Sequence, residues 1–192
     1  MDELREKILQ EGIDQFRRSG LKFTMQDIAG SLHISKKTMY KYFASKEDLL
    51  LALLDDGYRK IHEEKKAVIE SALPLEERIA KVMIAMPQQY SMLEFSQLDS
   101  LEEKYPAVSE ALQRHLLNDW EPTIALIREG IEVGVIRDIS ISVLKVMVTS
   151  SIHAFTSTHE LADQGITYQE ALQNMMDIIM RGIRRDRHDQ TE

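Results

Sequence analysis

The amino-acid sequence predicts an all-α protein. Apolar residues recur at intervals of three and four along most of the 192-residue chain, which is the period of an amphipathic helix. Alternating patterns typical of β-strands are few. Three Ser/Thr-x-x-Asp/Glu sequences, beginning at Thr24, Ser45 and Thr167, mark helix starts because the hydroxyl and carboxylate cap free N–H groups. Together these observations place helices throughout the chain.

Glycines and prolines mark most of the predicted helix ends. Gly20 ends the first helix, Pro74 ends a long fourth helix, and Gly134 ends the helix that Pro122 opens. The periodicity predicts helices over residues 2–18, 25–32, 36–43, 45–73, 75–86, 87–102, 106–118, 122–134, 142–161 and 168–184.

The fourth predicted helix is long enough to belong to two domains at once. Its roughly 28 residues span ~42 Å at 1.5 Å per residue. We therefore expect a domain boundary near residues 44–58 without a flexible linker. The N-terminal domain then covers residues 1–46, and a C-terminal helical domain covers residues 47–192.

The charge of the chain is unevenly distributed. The net charge is −8, yet residues 17–46 hold seven Lys or Arg and one acid, a net +6. This basic segment, set in an acidic body, favours contact with a polyanion through one face. The absence of cysteine excludes disulfides and thiolate metal sites. Because neither a signal peptide nor a long apolar run is present, we expect a cytoplasmic protein without membrane contact.

The basic segment contains two short predicted helices joined by the three-residue turn His33-Ile34-Ser35. This is the outline of a helix-turn-helix, in which the second helix enters the major groove of DNA. Lysines on that helix can neutralise phosphates, and hydroxyl groups can donate to phosphates or base edges. The polar side chains of this helix are Lys36, Lys37, Thr38, Tyr40, Lys41 and Tyr42. The pattern predicts binding to double-stranded DNA.

These residues resemble a known family in register. The resemblance is to the N-terminal domain of tetracycline-repressor-like (TetR family) transcriptional regulators, and it covers about 45 residues. It implies a homodimeric repressor with a helix-turn-helix in each subunit, and a variable C-terminal domain that binds a small effector and releases DNA. The matching motifs are Phe16-x-x-x-Gly20-x-x-x-Thr24, Ile28-Ala29, Ile34-Ser35-Lys36, Thr38-Met39-Tyr40-x-Tyr42-Phe43 and Ser45-Lys46-Glu47-x-Leu49.

Carried over position by position, the resemblance implies that the start of the recognition helix faces bases and that flanking residues hold phosphates. Met39 and Phe43 correspond to core positions. Tyr40 and Tyr42 could instead be core aromatics, and Lys46 could be a solvated side chain. The implied DNA contacts are Thr24, Ser35, Lys36, Lys37, Thr38, Tyr40, Lys41, Tyr42 and Lys46.

Two positions depart from the family pattern. The turn has Leu32-His33 where the family usually has Ala-Gly. Glycine serves where φ is positive, and His is among the few other residues enriched there. Lys37 replaces a residue that is more often small, which implies a different base or phosphate contact.

Methionines and aromatic residues in the C-terminal half predict a cavity between helices. Methionine adapts to irregular cavities, and aromatic rings supply flat walls. Any one of these residues could instead fill the core. The candidate effector-pocket residues are Met83, Met86, Tyr90, Phe95, Trp120, Ile124, Ile127, Met147 and His153.

The last two long predicted helices each carry an apolar stripe that predicts a subunit interface. Two such helices from each of two copies form a four-helix bundle with an isologous contact. The same stripes could also pack inside one subunit. The candidate interface residues are Val143, Met147, Ser150, Ala154, Leu172, Met175, Met176, Ile179 and Ile183.

The sequence contains neither a Ser-His-Asp arrangement nor a Gly-rich phosphate loop, and His153, His159 and Glu160 do not share a helix face. We therefore expect no enzymatic activity, no metal and no cofactor. The prediction is a homodimeric repressor released from a palindromic DNA operator by a small-molecule effector. Two alternatives stay open: a DNA-binding regulator without an effector, and a protein-binding dimeric helical module without an operator.

Overall fold

The computed structural model describes residues 3–85, 100–118, 120–157 and 160–185. In these ranges the backbone is helical apart from short connections and one isolated antiparallel bridge, between Ile136 and Arg184. The all-α fold class is confirmed. The helices are α1 (Glu3–Ser19), α2 (Met25–Ser31), α3 (Lys36–Tyr42), α4 (Lys46–Glu70), α5 (Leu75–Met83), α6 (Leu101–Lys104), α7 (Pro106–Asn118), α8 (Glu121–Val133), α9 (Ile141–Ser157), α10 (Glu160–Asp163) and α11 (Tyr168–Ile183).

The three helix-start motifs adopt the predicted capping geometry. The Thr24 hydroxyl accepts a hydrogen bond from the Asp27 N–H at 3.2 Å, and the Asp27 carboxylate accepts from the Thr24 N–H at 2.7 Å. The Thr167 motif forms the same reciprocal box with Glu170. The Ser45 hydroxyl accepts from the Asp48 N–H at 3.0 Å and opens α4. These bonds satisfy N–H groups that have no partner within the helix.

Helix ends agree with the predictions less closely than helix starts. α4 ends at Glu70 rather than near residue 73. The Ser71 hydroxyl, just after this end, donates to the Val68 carbonyl. Gly134 ends α8 in the left-handed conformation, at φ 81°. The predicted helix over 142–161 ends at Ser157. Most of the helix predicted over 87–102 lies outside the described residues.

The buried apolar side chains form two hydrophobic cores. The first core joins α1, α2 and α3 to the first two turns of α4, and α6 and α7 add Leu101 and Val108 to it. The second core joins α5, α8, α9 and α11 around Ile79, Ile127 and Val148. α4 therefore runs from one core to the other as a continuous helix, and the first core extends past the helix-turn-helix.

Close packing in the second core depends on Gly130 in α8. A Cβ atom at this position would lie 2.6 Å from Ile79 Cδ1 and 2.9 Å from Ile136 Cγ1, both on buried side chains. The backbone of α8 therefore comes as close to α5 as glycine allows. None of the helices among the described residues is long and apolar enough to cross a membrane.

Candidate DNA-binding surface and regulatory cavity

Helices α2 and α3 are joined by a tight turn with one strained residue. The Ile34 N–H donates to the Ala29 carbonyl at 3.0 Å, which closes the turn. His33 has φ 54°, the single non-glycine residue with positive φ in the described part of the chain. The turn is therefore strained at this residue, since a left-handed conformation costs L-residues about 1–2 kcal/mol and glycine adopts it freely.

Buried side chains fix the orientation of α3. Met39 is fully buried, and Phe43, just after the helix, is almost so; both belong to the same core as Ile28 and Ala29 of α2. Residues at helical spacing opposite these anchors must face solvent. The lysines Lys36, Lys37 and Lys41 are all exposed, as predicted for a surface that meets a polyanion.

The hydroxyl groups of the recognition helix lie in three different environments. Ser35 caps α3 by accepting from the Thr38 N–H at 3.0 Å, and the two hydroxyls lie 2.8 Å apart. Tyr40 is 42% exposed, and Lys36 Nζ lies 5.7 Å from its ring centroid. Tyr42 is half-buried and packs against the first core, so its ring also serves the fold.

Thr24 lies exposed at the start of α2. Its hydroxyl and backbone N–H both bond to the Asp27 carboxylate, and these bonds lower the pKa of Asp27 below its ordinary value of 3.8. The carboxylate is therefore charged at neutral pH. It holds the α2 N-terminus in place where the resemblance implies a phosphate contact.

Lys46, at the start of α4, is bonded to backbone groups of its own chain. Its ammonium donates to the carbonyls of Leu21 at 2.6 Å and Phe23 at 2.5 Å. It also lies 4.2 Å from the ring centroid of Phe23 and 5.6 Å from that of Tyr105. Burial, and secondly the charge of Lys104, lower the pKa of Lys46. These bonds place the charge of Lys46 inside the protein, and the phosphate contact that the resemblance implies for this residue stays a prediction.

A cavity of about 210 Å³ lies between the two cores. Its wall includes side chains of both cores, among them Phe16 and Leu53 of the first and Met83 and Leu172 of the second. The sequence did not indicate that α1 and α4 would contribute. Their apolar residues were predicted to be core, and a periodic stripe does not distinguish a core wall from a cavity wall.

The predicted pocket residues are only partly brought together. Met83 and Trp120 line the cavity, whereas Ile124 and Ile127 pack into the second core and do not line it. Met147 and His153 are exposed on α9 and need correction as cavity residues, because their side chains project from its outer face. The predicted pocket residues that lie outside the described part of the chain are Met86, Tyr90 and Phe95.

Among the residues that the structure describes, few polar groups line the cavity. The Trp120 indole N–H donates to the Leu116 carbonyl at 3.0 Å, as a buried indole requires. The His115 ring stacks on Tyr58, with 4.1 Å between centroids. Burial raises the pKa of the Tyr168 phenol, so the phenol is neutral. Lys65 is the one Lys or Arg among the described lining residues, and none of those residues is Asp or Glu.

The two predicted interface stripes have different positions. The α11 residues are buried in the second core of their own chain and cannot also cover a partner; this half of the interface prediction is wrong. These residues are Leu172, Met175, Met176, Ile179 and Ile183. The α9 residues lie on the outer face instead. The exposed stripe of α9, called here the α9 stripe, consists of Val143, Val146, Met147, Ser150 and Ala154.

Comparison with known proteins agrees with this geometry. Residues 8–53, which contain α2, α3 and the start of α4, match the family described as bacterial regulatory proteins, tetR family. The chain is similar in this segment to the tetR family of bacterial regulatory proteins. It is 25% identical over 181 residues to an uncharacterized HTH-type transcriptional regulator, YvaF, of Bacillus subtilis (strain 168), covering 94% of this chain and 95% of that relative.

Solved structures share the TetR-family fold along most of the chain. A TetR transcription regulator from Haloarcula marismortui superposes with a TM-score of 0.73 at 20% identity, covering 96% of this chain and all of that one (100%). The transcriptional regulator FadR from Bacillus subtilis, in complex with stearoyl-CoA, superposes with a TM-score of 0.65 at 18% identity, covering 93% of this chain and 98% of that one. These similarities extend the common fold through the C-terminal helices.

Proposed function

We propose that this protein is a transcriptional regulator of the TetR family, a homodimeric repressor that binds a palindromic DNA operator and is released from it by a small-molecule effector. The observation that carries the proposal is the cavity between the two cores. Its wall includes residues of the same α1 and α4 helices that support the helix-turn-helix. A ligand in this position contacts the DNA-binding domain directly.

The recognition surface is the exposed face of α3. Lys36, Lys37 and Lys41 supply three positive charges over two helical turns, and Tyr40 adds an exposed phenol. Ser35 and Thr38 lie at the N-terminal end, which reaches base edges in helix-turn-helix proteins. Two such helices in a dimer enter successive major grooves about 34–36 Å apart.

The α9 stripe is the surface that we assign to the dimer. Val143, Val146 and Met147 are 57, 61 and 55% exposed, and Ile178 on the neighbouring α11 is 71% exposed. Apolar side chains clustered on one outer face mark an interaction surface rather than scattered exposure. Two copies of α9 and α11 packed about a twofold axis bury this stripe in a four-helix bundle.

DNA binding is tested with the DNA upstream of the protein's own gene, using fluorescence anisotropy at several salt concentrations. Lys37→Ala is expected to weaken binding. It is also expected to reduce the salt slope, which is the slope of log affinity against log salt concentration, by about 0.9 for each phosphate that is no longer neutralised. Lys66→Ala is the control, because Lys66 is exposed on α4 far from α3 and pairs with Glu70. Equal affinities and slopes for the two variants would remove α3 from the DNA-binding surface.

The dimer is tested by analytical ultracentrifugation. Val146→Glu places a charge in the centre of the α9 stripe and is expected to produce a monomer. Val133→Glu is the control, since Val133 is equally exposed, at 67%, but lies on α8. A dimer that persists in the first variant at low concentration argues against the α9 stripe as interface.

A further inference from the structure

We propose that Tyr105 is a positioning residue of the DNA-binding domain. Its ring contacts the Lys46 ammonium, and this contact limits which spacing of operator half-sites the dimer accepts. The inference rests on the proposed function, since a half-site spacing exists only for a dimer on a palindromic operator. It follows from a second connection between the two cores, from the corner at which Tyr105 lies, and from the position of its ring beside Lys46.

Helix α4, which connects the two cores, contains a glycine between them. The last residue of α4 that packs against the first core is Leu54, and the first that packs against the second core is Val68. Gly57 lies between these two positions. Glycine is a poor helix former, because it loses more backbone freedom on folding than any other residue. The orientation of the DNA-binding domain therefore depends on contacts besides α4.

The second connection is α7, together with the corner that precedes it. Residues 101–108, called here the α6–α7 corner, contribute Leu101 and Val108 to the first core, where they are 5 and 4% exposed. Helix α7 packs along α4, and Trp120, just after its end, belongs to the second core. The α6–α7 corner is therefore a part of the C-terminal domain that is anchored in the DNA-binding domain.

Tyr105 lies at the point where the chain turns from α6 into α7. Its N–H donates to the Leu101 carbonyl at 2.7 Å, and its carbonyl accepts from the N–H groups of Val108 at 3.0 Å and Ser109 at 3.1 Å. The next residue is Pro106, which disfavours a helical conformation at Tyr105. Tyr105 accordingly has φ −140° and ψ 65°. The backbone that carries the ring is therefore held between two helices.

The ring of Tyr105 contacts the charge that joins the parts of the DNA-binding domain. The Lys46 ammonium lies 5.6 Å from the centroid of this ring and 4.2 Å from that of Phe23. Aromatic rings attract a cation within about 6 Å, and more strongly when the cation is partly removed from water. The same ammonium donates to the carbonyls of Leu21 and Phe23, in the segment that leads into α2. Tyr105 thus contacts the junction of α4 with this segment.

This contact resists a change in the spacing of the half-sites. One inserted base pair moves a half-site by about 3.4 Å along the DNA axis and about 34° around it. A DNA-binding domain held at both α4 and the α6–α7 corner follows this movement only if the contact at the corner is strained or broken. Preference for one spacing is a difference between two affinities. The contact of Tyr105 with Lys46 contributes to that difference at most its own free energy.

The spacing preference is measured on two DNA duplexes. The first is the site that footprinting locates upstream of the protein's own gene, and the second has one base pair inserted at its centre. Fluorescence anisotropy gives the ratio of the two affinities for each variant. Tyr105→Leu keeps an apolar side chain without a ring and is expected to lower this ratio by up to about tenfold, the size of one partly desolvated cation–π contact.

Two further variants separate the ring from general effects of substitution. Tyr105→Phe keeps the aromatic face and is expected to keep the wild-type ratio. Leu117→Ala is the control on α7, because Leu117 is 54% exposed and lies beyond the α6–α7 corner. An unchanged ratio in Tyr105→Leu would overturn the proposal. A loss of equal size in Tyr105→Phe would also overturn it, since the attraction of the ring for Lys46 would not be the cause.

The orientation of the DNA-binding domain is measured directly with spin labels. The chain contains no cysteine, so labels attach only at introduced positions. Gln26→Cys on α2 and Glu132→Cys on α8 are both exposed, and they report the distance between the two domains of one chain. Labelled protein is diluted with unlabelled protein, and electron–electron dipolar coupling gives the distribution of distances.

The distribution is expected to be broader in Tyr105→Leu than in the wild type, and unchanged in Tyr105→Phe. Identical distributions in all three proteins would contradict a positioning role for Tyr105. This measurement needs neither DNA nor a dimer, so failure of the proposed function is recognised separately. A wild-type protein that binds no DNA refutes the proposed function, while the distances between the labels still test the contact of Tyr105 with Lys46.

Discussion

Replacing Lys46 with methionine tests whether this residue holds the protein together or contacts DNA. In the structure its ammonium serves the carbonyls of Leu21 and Phe23. A hydrogen bond from a charged group contributes about 1.5–3 kcal/mol when its partner stays buried, and less when water replaces the donor. Methionine keeps the apolar stem, and the lysine's own desolvation cost is removed. A net loss of about 2 kcal/mol in the free energy of unfolding is the balance of these effects.

The assay has two parts, with Lys41→Met as the comparison, because Lys41 is exposed on α3. Urea unfolding is expected to shift the midpoint of Lys46→Met down by about 1 M and to leave Lys41→Met unchanged. In operator binding measured at several salt concentrations, Lys41→Met is expected to differ from the wild type and Lys46→Met is not. Lys41→Met lowers the slope by about 0.9 for each phosphate left without its lysine, whereas Lys46→Met keeps the wild-type slope.

A Lys46→Met protein with wild-type stability and a reduced salt slope would refute this reasoning. It would show that the ammonium leaves the two carbonyls when DNA is present and contacts a phosphate, as the family resemblance implies. A protein that loses both stability and slope would place Lys46 in both roles and would equally contradict the assignment to the interior alone.

Three further predictions concern the fold. Gly130→Ala is expected to lower the free energy of unfolding, measured with urea, by about 1–2 kcal/mol. This value is the cost of overpacking against Ile79 minus the gain in helix propensity. Gly182→Ala is the control and is expected to be neutral or stabilising, because its added Cβ meets nothing within 4 Å. His33→Gly is expected to raise stability by up to about 1 kcal/mol, because φ is 54°. Folding lowers the pKa of Asp27, so its cap contributes to the free energy of unfolding in full above the ordinary pKa of 3.8. This contribution is lost as the pH falls through the lower pKa of the folded state. In Asp27→Asn the unfolding midpoint is expected to lose this dependence on acid pH.

The helix-turn-helix could be predicted from the sequence because its determinants are local. Thr24 and Ser35 specify helix starts through side-chain groups three residues from their partners, and Met39 identifies the buried side of α3 by spacing alone. The expectation of a positive φ at His33, which occupies a glycine position, is confirmed. Each of these inferences needs only a few consecutive residues, and the structure reproduces them.

The cavity could not be predicted in the same way because it depends on how distant helices meet. Phe16 and Trp120 are 104 residues apart in the sequence, and both line the same space. Apolar periodicity shows that each residue faces inward, but it does not reveal whether the opposite side is filled. The error on α11 has the same origin: Met175 and Ile179 form a strong stripe that packs inside the subunit.

In the proposed function, helix α4 connects DNA binding to ligand binding through its length. It begins at Lys46, which is bonded to the segment before α2, and its following turns form one wall of the cavity as far as Lys65. On the other side of the cavity, α7 contributes Val108 to the first core, and Tyr105, just before α7, contacts Lys46. A ligand that separates α7 from α4 therefore acts on both ends of this arrangement at once. A tenfold loss of operator affinity requires a coupling free energy of only about 1.4 kcal/mol, which is less than the interactions of Lys46 alone. Such a ligand needs no relay through other residues, because α7 contributes a side chain to the same core that supports the helix-turn-helix.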